Sequence, residues 1–467
     1  MGRRGVSATP VYKDQILEVE PTGIEPVADD QRHGAPIHLF GVWFSANAEI
    51  ATWMVGLLIC ALYGTDLRSA IYGIVIGNVV GFGLLGVLSI LGPKYGAPQM
   101  VVARLAFGKN GNAAPATLAF VAGVGWFAIN TVFGAYALES ITGFNYFLSL
   151  GLMLLLQIVL AVYGYNLIHV FERVSMWLLA AGFTLLLFVT FSKANFNVAF
   201  DPHAPIAVGG ALAGFIYATA LAFSYATGWI PAAADYSRYL PSSSSPRAVW
   251  WYSFLGCAVP CIVLEIVGAA TVSAVPRVDL SQAIPTDAIS ILLGSGLVAK
   301  LVLATVVLGT LTANCMNLYS GALAALVAFR VKIKRPIAAL VVGVLGALIA
   351  TGGGHPKEMA AGYTNFLLLL SYWASPWAAV LLVDWWQRGA KRADVLAQPD
   401  WHAGFWAWLI GLAASVPFWN QALYTGPFAK AYPQFGDLSY YVGFVVAALA
   451  MFALVRAKRT VPLPSEG

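Results

Sequence analysis

The most constraining feature of this sequence is a series of long apolar segments that recur from residue 38 to residue 456 with only short polar interruptions. The first of them, residues 38–62, contains a single formally charged side chain, Glu49, near its midpoint. About 20 consecutive apolar residues are enough to cross the hydrocarbon core of a bilayer as a helix. The pattern therefore predicts an all-α polytopic membrane protein with one transmembrane domain over residues 38–456.

The composition agrees with this prediction, because only 10% of the residues are charged and 59% are hydrophobic, whereas soluble proteins have about 25% charged residues. The mean hydropathy is +0.76. The apolar segments predict twelve transmembrane helices, roughly over residues 38–62, 69–91, 115–138, 146–165, 174–191, 207–232, 249–273, 295–326, 336–351, 359–383, 403–420 and 438–455.

The positive charges indicate the orientation of these helices. A formal net charge of +5 would also suit a nucleic-acid-binding protein, but most of the 26 lysines and arginines fall in every second segment between the predicted helices. Cytoplasmic loops carry such an excess of basic residues. We therefore expect a plasma-membrane protein with both termini in the cytoplasm, no nucleic-acid partner and no obligatory protein partner. The segments 1–37 and 457–467 are expected to be disordered cytoplasmic tails.

The sequence lacks the motifs of pumps and membrane enzymes, since it contains neither a Walker A sequence nor H-E-x-x-H. The cysteines Cys60, Cys257, Cys261 and Cys315 all fall inside predicted helices, so no disulfide framework is expected. Two thiols four residues apart, without His or carboxylate partners, do not make a metal site. We expect no enzymatic activity and no cofactor, with a coupling ion as the only bound ion.

Polar, aromatic or helix-breaking residues at mid-membrane depth are concentrated on four predicted helices. The first carries Ser45, Asn47 and Glu49, the third Trp126 and Asn130, the sixth Tyr225, Thr227, Gly228, Trp229 and Pro231, and the eighth Thr310, Thr312, Asn314 and Asn317. A spacing of four residues places Trp126 and Asn130 on one helix face. An aromatic plane beside amides and one acid suits a flat, polar heterocycle, although each of these residues alone is more often part of ordinary helix packing.

The first and sixth helices occupy equivalent places in two halves of five helices each. Transporters built from inverted repeats bind their substrate where broken helices of the two halves meet at the midplane. A channel is the alternative from another class of protein, but a channel needs a continuous polar lining, and Trp126 and Trp229 would obstruct it.

Five stretches of the sequence carry a family resemblance: WFSANAEIATW at 43–53, GPKYGAPQMVVARLAFGKNG at 92–111, GWFAINTVFGA at 125–135, WIPAAADYSRYLP at 229–241 and TANCMNLYSGAL at 312–323. In these stretches the chain resembles the purine–cytosine permeases of the first nucleobase:cation symporter family. The resemblance implies the leucine-transporter-like fold with alternating access. Its two inverted repeats of five helices would span about 38–191 and 207–383, followed by two extra helices over about 403–455.

The resemblance also implies a substrate site. Trp126 matches the aromatic residue that stacks on the substrate ring, and Asn130 and Asn317 match amides that hydrogen-bond the heterocycle. Glu49 occupies a position held by Gln in the hydantoin permease, and Ser45 lies on the same segment. The sixth-helix aromatic does not transfer directly, because an ungapped alignment from Asp235 places Ala226 there, so either Tyr225 or Trp229 is expected to supply the ring.

The coupling ion is expected to be a proton or sodium. In sodium-coupled members, the resemblance assigns the ligands to the positions of Ser45, Ala48, Leu308, Leu311 and Thr312, and Leu311 replaces one of two hydroxyl ligands. The buried Glu49 carboxyl offers an alternative, because it can bind a proton and cross the membrane as a neutral group. We therefore expect proton-coupled import of cytosine or purines. A sodium-coupled permease for hydantoin, allantoin, uracil or thiamine is the alternative.

Two further acidic residues have open roles. Glu265 lies in the apolar seventh helix, where a structural partner or a position near the outer boundary is favoured over a second proton relay. Asp235 and Arg238 follow the sixth helix, where a gate, a helix cap and a solvated charge pair remain alternatives.

Overall fold

The structure, a computed structural model, describes residues 17–206, 210–275, 285–352, 356–389 and 393–460. Its α-helices are α1 (His38–Asn47), α2 (Ile50–Ala61), α3 (Leu67–Ser89), α4 (Leu91–Tyr95), α5 (Gln99–Val102), α6 (Arg104–Phe107), α7 (Ala113–Thr142), α8 (Tyr146–Tyr163), α9 (Tyr165–Lys193), α10 (Ala211–Trp229), α11 (Pro246–Ala274), α12 (Pro285–Leu293), α13 (Leu297–Phe329), α14 (Arg335–Gly352), α15 (Pro356–Arg388), α16 (Ala403–Ser415), α17 (Pro427–Ala431) and α18 (Ser439–Thr460).

Shorter elements complete the fold. Two-residue strands β1 (Asn420–Gln421) and β2 (Tyr424–Thr425) pair antiparallel. Short 3₁₀ helices occur at Asp29–Gln31, Ile230–Ala232, Val416–Phe418 and Pro433–Phe435.

The prediction of an all-α membrane protein is confirmed. Within the described residues, nine helices are long and apolar enough to cross a bilayer, α1 and α2 together form a bent tenth candidate, and Tyr146–Leu160 and Ala403–Phe418 are shorter apolar helices. The count of twelve spans stays a prediction.

The expectation of one continuous helix over residues 38–62 is wrong. The chain bends by 53° between α1 and α2. Glu49 is extended, with φ −143° and ψ 170°, and Ala48 also leaves the helical region. Side chains compensate the interrupted backbone: the Thr52 hydroxyl donates to the Asn47 carbonyl at 2.7 Å. The break therefore places a carboxyl group and exposed peptide groups in the interior of the bundle.

The sixth predicted helix also ends within the bundle, as its Gly and Pro residues indicate. Helix α10 stops at Trp229, and a 3₁₀ turn with Pro231 follows. Close packing holds the broken helices in place. A Cβ atom on Gly56 of α2 would lie 1.6 Å from the Glu265 carbonyl oxygen of α11, so only glycine permits this approach.

The N-terminal segment from residue 17 is ordered against the bundle, so the expected disorder of the whole tail is wrong. Glu20 is buried, and its carboxylate accepts hydrogen bonds from Arg238 Nη2 at 2.5 Å, from Tyr239 OH at 2.7 Å and from Tyr319 OH at 3.0 Å. It also forms an ion pair with Arg335 at 3.3 Å. An acid in the tail thus neutralises two basic residues that are distant in sequence, Arg238 beyond α10 and Arg335 at the start of α14. Residues 1–16 and 461–467 lie outside the described residues.

Asp235 and Arg238 are both buried, which contradicts the alternative of a solvated charge pair. Asp235 accepts a hydrogen bond from the Gln99 backbone N–H at 2.8 Å. Burial raises the pKa of Asp235 to about 7.

Glu265 has a structural partner, because it accepts a hydrogen bond from Asn78 Nδ2 at 2.7 Å. The four cysteines named above are free and buried.

Candidate functional site

Glu49 lies at the centre of the site because it is the residue at which the first span is broken. Its side chain is buried, and its Oε1 atom accepts a hydrogen bond from Tyr225 OH at 3.0 Å. Thr52 Oγ1 lies 2.7 Å from the Tyr225 hydroxyl oxygen, so its single proton is shared between Tyr225 and the Asn47 carbonyl. Among the described residues, no basic side chain pairs with Glu49, and its Oε2 atom has no hydrogen-bond partner. The site therefore contains an uncompensated carboxyl group.

Trp126 of α7 forms the aromatic wall beside this carboxyl group. Its ring contacts Tyr225 edge to face with centroids 5.4 Å apart, and Phe366 of α15 in the same geometry at 5.2 Å. Helix α10 approaches closely at Gly228, where a Cβ atom would lie 3.0 Å from Trp126 Nε1. The predicted third and sixth helices thus meet at these aromatic rings.

Asn130 lies one helical turn from Trp126 and is completely buried, with 0% exposure. Neither its Nδ2 nor its Oδ1 atom has a hydrogen-bond partner in the described part of the chain. Its amide is a close neighbour of the Glu49 carboxyl. A buried amide left unpaired costs about 1–3 kcal/mol, so a polar partner here would be stabilising.

Asn317 of α13 completes this side of the site. Its Nδ2 atom donates to Asn314 Oδ1 at 3.1 Å, and Asn314 Nδ2 donates to the Phe127 carbonyl at 3.0 Å. Asn314 therefore links α13 to α7, whereas Asn317 faces a cavity shared with Trp126 and Trp229. This cavity has a volume of about 30 Å³, enough for a small number of water molecules.

The two sixth-helix aromatics have different surroundings. Tyr225 contacts both Glu49 and Trp126. Trp229 lines the small cavity and packs edge to face against Trp43 of α1, with ring centroids 5.7 Å apart. Both residues therefore border the site, Tyr225 at the carboxyl group and Trp229 at the end of α10.

The residues expected around a cation are also brought together in part. Thr312 Oγ1 lies 2.9 Å from the Ser45 carbonyl oxygen and 2.8 Å from the Gly309 carbonyl oxygen, and its single proton is shared between them. The backbones of Ala48 and Gly309 are in close contact, since a Cβ atom on Gly309 would lie 2.9 Å from the Ala48 oxygen. Leu308 precedes Gly309 on the same turn of α13.

Glu172 is a candidate residue that the sequence analysis missed. It is buried on α9, where its Oε1 atom accepts from Cys315 Sγ at 3.1 Å and its backbone carbonyl accepts from Ser45 Oγ at 2.5 Å. The predicted fifth helix begins at residue 174, which leaves Glu172 in the polar segment before it. Helix α9 actually spans Tyr165–Lys193, which places Glu172 inside the bundle.

Comparison with known proteins identifies the family of this chain. Residues 26–443 match the family described as "Permease for cytosine/purines, uracil, thiamine, allantoin". The chain belongs to this permease family. The resemblance drawn from the sequence motifs is thereby confirmed.

Similar proteins cover nearly the whole permease. It is 27% identical to a putative purine-cytosine permease of Bacillus subtilis, named YxlA, over 95% of this chain and 97% of that protein. It is 28% identical to the purine-cytosine permease fcyB of Emericella nidulans, over 94% of this chain and 88% of that protein.

Solved structures establish the fold. The nucleobase-cation-symport-1 transporter Mhp1, in a closed conformation with bromovinylhydantoin bound, superposes with a TM-score of 0.73 at 21% identity, covering 96% of this chain and 98% of that chain. A Na⁺-coupled sialic acid symporter superposes with a TM-score of 0.60 at 12% identity, covering 92% of this chain and 91% of that chain. The permease therefore has the transporter fold that the resemblance implied.

Proposed function

We propose that the permease imports a nucleobase, cytosine or a purine, across the plasma membrane by cation symport. The observation that carries this proposal is the grouping of Trp126, Asn130 and Glu49 at the break between α1 and α2. Trp126 offers an aromatic face, and the unpaired Asn130 amide offers a donor and an acceptor for a ring edge. The purine–cytosine permeases named above support this substrate class.

Asn317 supplies a second amide from α13, and Tyr225 or Trp229 supplies the opposite ring. The cavity of about 30 Å³ is smaller than a heterocyclic ring, so helices α7, α10 and α13 must separate to admit the substrate. This requirement fits alternating access, in which opening and closing of the site alternate between the two sides of the membrane.

A proton is the proposed coupling ion. An ionised carboxylate without a positive partner is costly in a desolvated interior, so Glu49 is most stable there as a neutral, protonated group. Glu172 is a second such carboxyl group, and its backbone carbonyl accepts a hydrogen bond from Ser45 of α1. A sodium site at Ser45, Ala48, Leu308 and Thr312 is the alternative, but Leu311 offers no hydroxyl oxygen.

Uptake of radiolabelled cytosine and adenine into proteoliposomes tests the substrate class. The proposal expects saturable uptake that unlabelled nucleobases inhibit. Uptake that rises linearly with concentration would favour a channel, and inhibition by hydantoin or thiamine alone would favour another heterocycle. Both termini are proposed to be cytoplasmic, which the reaction of a membrane-impermeant thiol reagent with cysteines introduced at the exposed Glu18 and at the exposed Arg456 can check.

A further inference from the structure

A second cavity lies at the end of the bundle on which the tail packs, apart from the site at Glu49. It has a volume of about 760 Å³ and lies between the tail segment 19–25 and the loop that joins α13 to α14. Five basic residues line it: Arg104, Arg330, Lys332, Lys334 and Arg335. The acidic residues that line it are Glu20 and Glu25.

Most of this positive charge is not neutralised within the protein. Glu20 is already engaged by Arg238 and Arg335. Among the described residues, no carboxylate lies within ion-pair distance of Arg104, Arg330, Lys332 or Lys334.

Arg104 shows most clearly that like charges converge here. It belongs to α6, in a different loop from Arg330, yet burial and the nearby Arg330 guanidinium lower the pKa of Arg104. Its Nε atom is buried and has no hydrogen-bond partner in the described part of the chain. Two guanidinium groups held together without an anion repel one another, whereas a shared phosphate would accept hydrogen bonds from both.

We propose that this basic cavity binds a phosphate group, carried by an anionic lipid headgroup or free in solution. The positive-inside rule explains basic residues in this loop, but it does not require them to converge with Arg104 on one concave surface. Basic pockets between transmembrane helices on the cytoplasmic side bind lipid phosphates. The bound phosphate would also contact the tail segment that carries Glu20.

The proposal is tested with the purified full-length permease in a neutral detergent, by following its melting temperature during titration. The probes are dioctanoyl phosphatidylglycerol, dioctanoyl phosphatidylcholine and inorganic phosphate. We expect phosphatidylglycerol to raise the melting temperature and phosphatidylcholine to leave it unchanged. Stabilisation by inorganic phosphate as well would identify free phosphate as a ligand, whereas stabilisation by phosphatidylglycerol alone would identify a lipid headgroup.

A charge-matched pair of variants locates the binding site. Lys332 and Lys334 are exposed, so the double variant Lys332→Gln/Lys334→Gln should fold normally. Each lost charge should weaken binding about fivefold, so this double variant should bind phosphatidylglycerol about 25-fold more weakly than the wild type. The control Arg247→Gln/Arg456→Gln removes two exposed charges outside the cavity and should change affinity less than about twofold. No anion-dependent stabilisation, or an equal loss in both double variants, would overturn the proposal.

Discussion

Two buried carboxyl groups, Glu49 and Glu172, set the chemical character of the central site. Each has one oxygen without a hydrogen-bond partner in the described structure, and neither has a basic partner there. Ordinary packing between helices does not need such groups, because buried carboxylates are costly unless they are paired or protonated. Both residues lie beside Ser45 and the break that follows α1, so the proposed proton carrier and the interrupted helix are in direct contact.

Removal of the aromatic wall tests the substrate site at the scale of one residue. Trp126→Ala should raise the half-saturation concentration for the nucleobase about 5- to 150-fold, since stacking of a base on an aromatic ring contributes about 1–3 kcal/mol. Trp251 is exposed on α11 and lies outside the site, so Trp251→Ala is the matched control. Equal kinetics of the two variants at equal expression would show that Trp126 does not contact the substrate.

The two asparagines of α13 should separate binding from stability. Asn317→Ala removes a proposed substrate partner and should raise the half-saturation concentration, with a small effect on the melting temperature. Asn314→Ala removes hydrogen bonds that join α13 to the Phe127 carbonyl and the Thr131 hydroxyl, so it should lower the melting temperature more. Normal transport by Asn317→Ala would contradict the proposed position of this residue.

At the scale of elements, the sequence predicts the end of α10 better than it predicts the break between α1 and α2. Gly228 and Pro231 indicate the end of α10, because both residues disfavour a regular helix. The break at Ala48 and Glu49 has no such signal, since neither residue is a helix breaker. The local hydrogen bond from Thr52 to the Asn47 carbonyl and the tertiary contact of Tyr225 with Glu49 accompany it instead. Hydrophobic patterning therefore predicted the extent of the first span and missed its interruption.

The N-terminal tail is attached to the bundle through Glu20. Glu20→Ala would leave the buried Arg238 without its carboxylate partner, which destabilises a protein by about 3–5 kcal/mol. We expect a clear fall in the melting temperature of the purified permease. Glu18 is exposed, and Glu18→Ala should leave the melting temperature unchanged. If the two variants have the same melting temperature, the tail does not contribute to the stability of the bundle.

At the scale of the whole molecule, the bilayer explains why so much of the fold follows from the sequence. Membrane-spanning segments must satisfy their backbone hydrogen bonds internally, so long apolar runs read directly as helices. The site was less predictable, because it depends on side chains that meet across helices. Trp126 and Asn130 share one helix face, and their spacing predicts this, whereas the contact of Glu172 with α1 depends on tertiary packing.

The small cavity at the proposed site has a consequence for the whole molecule. A space of about 30 Å³ between α7, α10 and α13 cannot hold a nucleobase, so binding at the proposed site would require these helices to move apart. The N-terminal tail packs on one end of the bundle, where Glu20 contacts Tyr319 of α13 and Arg238 beyond α10. Opening towards this side would therefore have to disturb the Glu20 network.

The central claim is that Glu49 carries the proton that drives nucleobase import. The most direct measurement is accumulation of radiolabelled cytosine in proteoliposomes under an imposed pH gradient, for the wild type and for Glu49→Gln. We predict that an acidic exterior drives accumulation by the wild type without sodium. Glu49→Gln should abolish accumulation and retain exchange of labelled for unlabelled cytosine, because glutamine keeps the shape of the side chain and cannot release a proton. Accumulation that requires sodium and persists in Glu49→Gln would contradict this account.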